Sequence, residues 1–95
     1  MIRNVVVGRL KPGVGAEEIR KGLDAIVALD PPGIVDVKVG VDAGLREGNW
    51  DFAITSDFAD VDSYRQYDLE DEHNRIRREM FAPLCEQIIR MQFEV

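Results

Sequence analysis

A chain of 95 residues has room for one domain, spanning residues 1–95, with a thin core. With 45% apolar and 32% charged residues the composition is globular, which excludes a disordered, collagenous or membrane-embedded chain. A net charge of −6 argues against nucleic acid as a partner, because phosphate binding needs a concentrated basic face.

The segment from Ile2 to Leu10 is rich in valine and reads as a strand. Ile2, Asn4, Val6, Gly8 and Leu10 fall on one face, and Arg3, Val5, Val7 and Arg9 on the other. Lys11-Pro12-Gly13 ends it. A helix is expected from about Ala16 to Leu29, with Ile19, Leu23, Ile26 and Leu29 as its apolar stripe. Glu17 and Glu18 suit its first turn, and Asp30-Pro31-Pro32-Gly33 stops it.

Ile34 to Val41 predicts a second strand, with Ile34, Asp36 and Lys38 on the side of Val5 and Val7. After a polar loop, a third strand is expected over Asn49–Asp57, with Trp50, Phe52, Ile54 and Ser56 sharing a face. Asp60 suits an N-cap for a helix carrying Val61, Tyr64 and Tyr67. The acidic stretch Asp68–Glu72 interrupts that helix, and a second piece carries His73, Ile76 and Met80 until Pro83. Gln87 to Val95 predicts the last strand, with Ile89, Met91, Phe93 and Val95 on one face.

The order is β-α-β-β-α-β, the ferredoxin-like α+β plan with both helical layers on one face of a four-stranded antiparallel sheet. The uncovered face then carries Val5, Val7, Met91 and Phe93 as one patch, since the last strand lies beside the first. Such a patch predicts a homodimer, two sheets closing into a dimeric α/β barrel.

His73 is the single histidine and the side chain best suited to titrate near neutral pH. As a neutral base it would take a proton from a carbonyl substrate while the Tyr67 hydroxyl polarises the oxygen. The alternative is a histidine that only braces the helix break. Residues six apart on an unbroken helix diverge by about 120°, so Tyr67 and His73 converge only if the chain breaks near Leu69 to Asp71. Asn4, Trp50 and Phe52 are expected around the same helix-side cavity, and Arg90 could bind a carboxylate there or extend to the sheet edge. Tyr64 and Phe81 read as core, and Arg75, Arg77 and Arg78, alternating with Glu72 and Glu79, read as a solvated helix face.

No metal-ligand spacing and no phosphate-binding loop is visible, so neither metal nor cofactor is expected. Cys85 is the lone cysteine and reads as a structural thiol; with no long apolar run, a cytoplasmic location without membrane attachment is expected.

Several stretches together resemble the stress-responsive dimeric A/B-barrel family. They are Ile2–Gly13, Phe58–Tyr64, the pair Tyr67 and His73 flanking a helix break, and Ala82-Pro83-Leu84. The resemblance spans the chain and implies a ferredoxin-like protomer whose sheet packs against a second copy. The family includes plant stress proteins and a polyketide cyclase that makes olivetolic acid. The resemblance implies Tyr67 and His73 as catalytic residues, matching that cyclase's tyrosine and histidine. Two histidines of the family pattern are replaced here by Asn4 and Glu70, and a histidine that the cyclase carries on its third strand corresponds to Phe52. Three functions stay open: a cofactor-free enzyme on a carbonyl or polyketide-like small molecule, a non-catalytic stress-response or ligand-binding dimer, and a cofactor-independent monooxygenase.

Overall fold

The computed structural model describes residues 1–95 and has the element order β1 (Ile2–Leu10), α1 (Ala16–Ala28), β2 (Ile34–Val41), β3 (Phe52–Phe58), α2 (Val61–Leu69), α3 (Asp71–Ile76), a π-turn (Arg77–Phe81) and β4 (Cys85–Glu94). The sheet order is β2-β3-β1-β4, and every neighbouring pair is antiparallel. This is the ferredoxin-like α+β fold, with the helices on one face. No helix is long and apolar enough to cross a membrane.

The stripe of α1 supplies the centre of the core: Ile19 and Leu23 are fully enclosed, and Ile26 nearly so. They pack with Leu10, Phe52, Ile54, Ile76 and Phe81. Gly22 completes the contact, since a Cβ there would stand 2.9 Å from the Phe81 ring. The helix stops at Ala28, one residue short of the expectation, because Leu29 turns to extended backbone ahead of Asp30 and Pro31.

Two strand starts and one register differ from the sequence reading. Strand β3 starts at Phe52 rather than Asn49. Asp51 is held instead by its N–H on the Gly8 carbonyl (2.9 Å), while its Oδ2 accepts from the Leu10 N–H (2.7 Å). That carboxylate satisfies a backbone donor near the irregularity where β1 and β4 change register between Arg9 and Leu10. Strand β4 starts at Cys85 rather than Gln87. In β2 a bulge between Ile34 and Asp36 sets Ile34 opposite Phe58, a helix-side residue, so Ile34 leaves the outer set to which it was assigned.

On the outer face Val5 pairs with Met91, Val7 with Ile89 and Arg3 with Phe93. Arg3 also holds Asp57 through two hydrogen bonds of 2.7 and 2.9 Å, an ion pair beside the apolar cluster. Nothing in the protomer covers this cluster: Ile89 is 48% exposed, Met91 59% and Phe93 40%.

Candidate functional site

The site begins with two caps. Asp60 starts α2 by accepting from the Ser63 N–H (2.8 Å) and hydroxyl (2.8 Å). Glu70 breaks the helix: its backbone is extended (φ −71°, ψ 134°), and its carboxylate accepts from the N–H groups of Glu72 (2.9 Å) and His73 (2.7 Å). One acidic side chain therefore satisfies two donors of the new helix start. The resulting change of axis brings Tyr67 and His73 together, with ring centroids 4.0 Å apart and planes inclined by 33°. Phe58 supports the pair from below, 5.0 Å from Tyr67.

Both rings line a cavity of about 40 Å³ between the sheet and the second helical layer. Asn4, Val6, Ile54, Ile88 and Arg90 come from the strands, and Ile26, Tyr64, Asp68, Arg77 and Phe81 from the helical side. Of the sequence-predicted residues, Asn4, Tyr67, His73 and Arg90 therefore share one cavity. Phe52 and Trp50 do not. Phe52 is core, 5.7 Å from Phe81. Trp50 precedes β3, so the strand alternation does not govern it, and it lies under the Arg9 guanidinium at 4.7 Å.

Three participants escape the sequence reading. Gln92 stands opposite Asn4 and donates to its Oδ1 (2.8 Å), which satisfies one end of the buried amide. Tyr64, expected in the core, is a cavity wall, in edge contact with Phe58 at 5.7 Å. Arg77, expected in solvent, also lines the cavity. Its neighbour Arg75 does take the solvated role, paired with Glu72 and Glu79. Arg77 stands four residues after His73 and so shares its helix face, whereas Arg75 does not. A four-residue step on an α-helix overshoots by about 40°, so His73, Arg77 and Phe81 would drift around the axis. The wider turn, closed by the Ala82 N–H on the Arg77 carbonyl at 2.9 Å, draws Phe81 back to the same side.

Electrostatically the two rings are held neutral. Burial, helped by the Tyr64 phenol and the Glu70 and Asp68 carboxylates, pushes the Tyr67 phenol up to about 12. Burial and the Arg77 charge push the His73 imidazole below its usual 6.5, against weaker opposition from Asp68, Glu70 and the Tyr67 carbonyl. His73 Nδ1 is buried and without a hydrogen-bond partner. Tyr67 is thus a hydrogen-bond donor at neutral pH and His73 a free base. The Cys85 thiol, also raised by burial, lies outside the cavity. No three His, Cys, Asp or Glu side chains converge as metal ligands would.

The His73 shift has a thermodynamic consequence. The unfolded chain binds the proton more readily, so stability is complete above about pH 6.5 and falls as pH drops through the lower folded value. Urea unfolding of His73→Gln between pH 5 and 8 should lack this step while keeping the acid-range losses of the carboxylates. Parallel pH profiles for the two proteins would refute the assignment.

The fold and the cavity define a class: ferredoxin-like α+β protomers with a small pocket between sheet and helices. The sequence profile of the stress-responsive A/B barrel domain (Dabb) matches residues 2–95, and the chain belongs to that family. Solved structures agree. A dimeric ferredoxin-like protein of unknown function from Thermobifida fusca is 26% identical over 99% of this chain and 90% of its own, with a TM-score of 0.86. The hydroxynitrile lyase from Passiflora edulis is 22% identical, covering 99% of this chain and 92% of that one, with a TM-score of 0.83. A Dabb family protein from Mesorhizobium loti is 20% identical over 99% and 95%, with a TM-score of 0.77. No curated protein matches the chain.

Proposed function

We propose that this chain is a homodimeric, cofactor-free enzyme in which His73 takes a proton from a small carbonyl compound while Tyr67 hydrogen-bonds the oxygen that gains charge. The observation that carries the reading is the pair itself: the sole histidine, neutral and with an unpartnered nitrogen, stacked 4.0 Å from a tyrosine on a cavity wall. In the step, the C–H proton next to the carbonyl passes to the imidazole. The bonding electrons move into the carbonyl to form an enolate, whose oxygen accepts from the Tyr67 O–H. Asn4, fixed by Gln92, stands on the facing, sheet-side wall to orient the substrate.

Cavity size narrows the substrate. About 40 Å³ is room for a few water molecules. A polyketide or a dihydroxyaromatic ring exceeds it, so the enclosed end of the substrate is a few heavy atoms. That the family fold can carry catalysis on small molecules is supported by the likeness to a lyase, although at 22% identity the likeness is one of fold.

The dimer forms by the outer sheet faces, with Val5, Val7, Met91 and Phe93 meeting their counterparts. It is supported by the exposure of this cluster and by the dimeric Thermobifida neighbour. The site lies on the opposite, helical side of the sheet, so the partner leaves its entrance open.

The chemistry is tested by deuterium uptake. In D₂O, small methyl ketones and keto acids incubated with the protein should exchange the protons next to the carbonyl, followed by proton NMR. Positioned acid–base groups contribute about 10²–10⁴-fold, so His73→Gln should slow exchange by at least about 100-fold. Equal rates with the two proteins across the panel would refute the base.

A further inference from the structure

The cavity has a charged entrance that the proton-transfer chemistry does not use. Arg77, at the start of the π-turn, and Arg90, on the helix-side face of edge strand β4, line it together. They approach from opposite walls, one helical and one from the sheet. Both are exposed at the surface, while His73 and Tyr67 lie deeper and are buried. Neither arginine is engaged by a protein acid. The ion pairs of the molecule are Arg3–Asp57, Lys38–Asp36 and Arg75 with Glu72 and Glu79. Asp68 is the single acid on the cavity wall, leaving the lining with one net positive charge on a chain of net charge −6.

An unpaired guanidinium at a pocket mouth is a fork suited to a carboxylate, with paired N–H donors at the spacing of its two oxygens. Both line the same cavity and stay unpaired on a protein with an excess of acids. Burial and then the Asp68 charge raise the Tyr64 phenol, against smaller opposing effects of Arg90 and Arg77, which puts Tyr64 near both cations as well as Asp68. The enclosed volume of about 40 Å³ takes only the reacting end of a substrate, so the remainder must lie at the entrance, among these groups.

From this arrangement we infer that the substrate is a short keto acid, its carboxylate held at the mouth by Arg77 and Arg90 and its ketone end enclosed beside His73 and Tyr67. The inference rests on the proton-transfer reading above and adds the chemical class of the substrate. Asp68 then acts as a selectivity element, repelling a second carboxylate and disfavouring dicarboxylic acids.

The experiment compares 4-oxopentanoate with its neutral isostere 4-oxopentanamide. Deuterium exchange next to the ketone should be at least tenfold faster for the acid with the wild-type protein. The Arg77→Gln/Arg90→Gln double variant should bring the acid-to-amide ratio close to one. Both substituted side chains are exposed, so the fold is retained, checked by circular dichroism. If acid and amide exchange equally in the wild type, and both rates fall in His73→Gln, the anion inference is overturned while the base stands. If neither compound exchanges, the base reading falls. The mouth is then judged by NMR titration with 4-oxopentanoate: saturable shifts of the Tyr64 and Ile88 signals, lost in the double variant, support it, and their absence overturns it.

Discussion

Gly8→Ala should destabilise the protein by about 3 kcal/mol, at the upper end of what overpacking a core costs. Gly8 is buried in β1 directly opposite Phe52, and a Cβ there would lie 2.0 and 2.2 Å from two atoms of the Phe52 ring. The ring cannot yield cheaply, because it is itself buried and leans on Phe81, which in turn sits against Gly22. Urea denaturation gives the stability directly. The double variant Gly8→Ala/Phe52→Leu should recover much of the loss, since leucine vacates the space that the new methyl needs. The two substitutions should therefore be strongly non-additive. A Gly8→Ala protein within about 0.5 kcal/mol of wild type would show that the strand simply shifts to accommodate it.

Met91→Asp should separate the dimer. Met91 is 59% exposed in the protomer, so replacing it leaves the fold of one copy nearly untouched. Any large effect is then a measure of the interface. Beside Val5 and between Ile89 and Phe93, the side chain lies within the apolar cluster of the outer face. A two-fold interface carries every substitution twice. Burying a carboxylate without a partner costs several kcal/mol even after relaxation. Dimer affinity should therefore fall by at least about 100-fold, each factor of ten corresponding to about 1.4 kcal/mol. Sedimentation equilibrium should give about twice 10.7 kDa for the wild type at micromolar concentration and 10.7 kDa for the variant. A wild-type protein that sediments as a monomer would remove the basis of the barrel.

The sequence conveys the layout well because each element is signalled locally. The α1 stripe, the Asp60 cap and the proline and glycine stops all act within a few residues. The break between α2 and α3 is visible as an acidic run, yet the identity of the breaker is not. Any of the four carboxylates of Asp68, Glu70, Asp71 and Glu72 could serve, and only the folded chain picks Glu70 by bringing its carboxylate to the His73 N–H. Long-range register is where the reading fails. Trp50 was set on the helix side by continuing an alternation past the point where the β3 ladder begins. Gln92 went unnoticed because its importance depends on facing Asn4 across two strands that are distant in sequence. Arg77 was placed in solvent on the alternation of charges along the helix, although it stands four residues after His73 and so shares that residue's face.

The bulge at Val35 concerns what the molecule avoids rather than what it binds. Strand β2 forms one rim of the sheet, and its outward row of unpaired amides is an invitation to stray β-strands. The irregularity between Ile34 and Asp36 spoils the even spacing that such an intruder would need, and Asp36 and Lys38 add charge next to it. Sheet-to-sheet growth into fibrils is thereby discouraged along this rim. In the proposed dimer, self-association is left to the broad oily surface, where a two-fold pairing ends it at two copies.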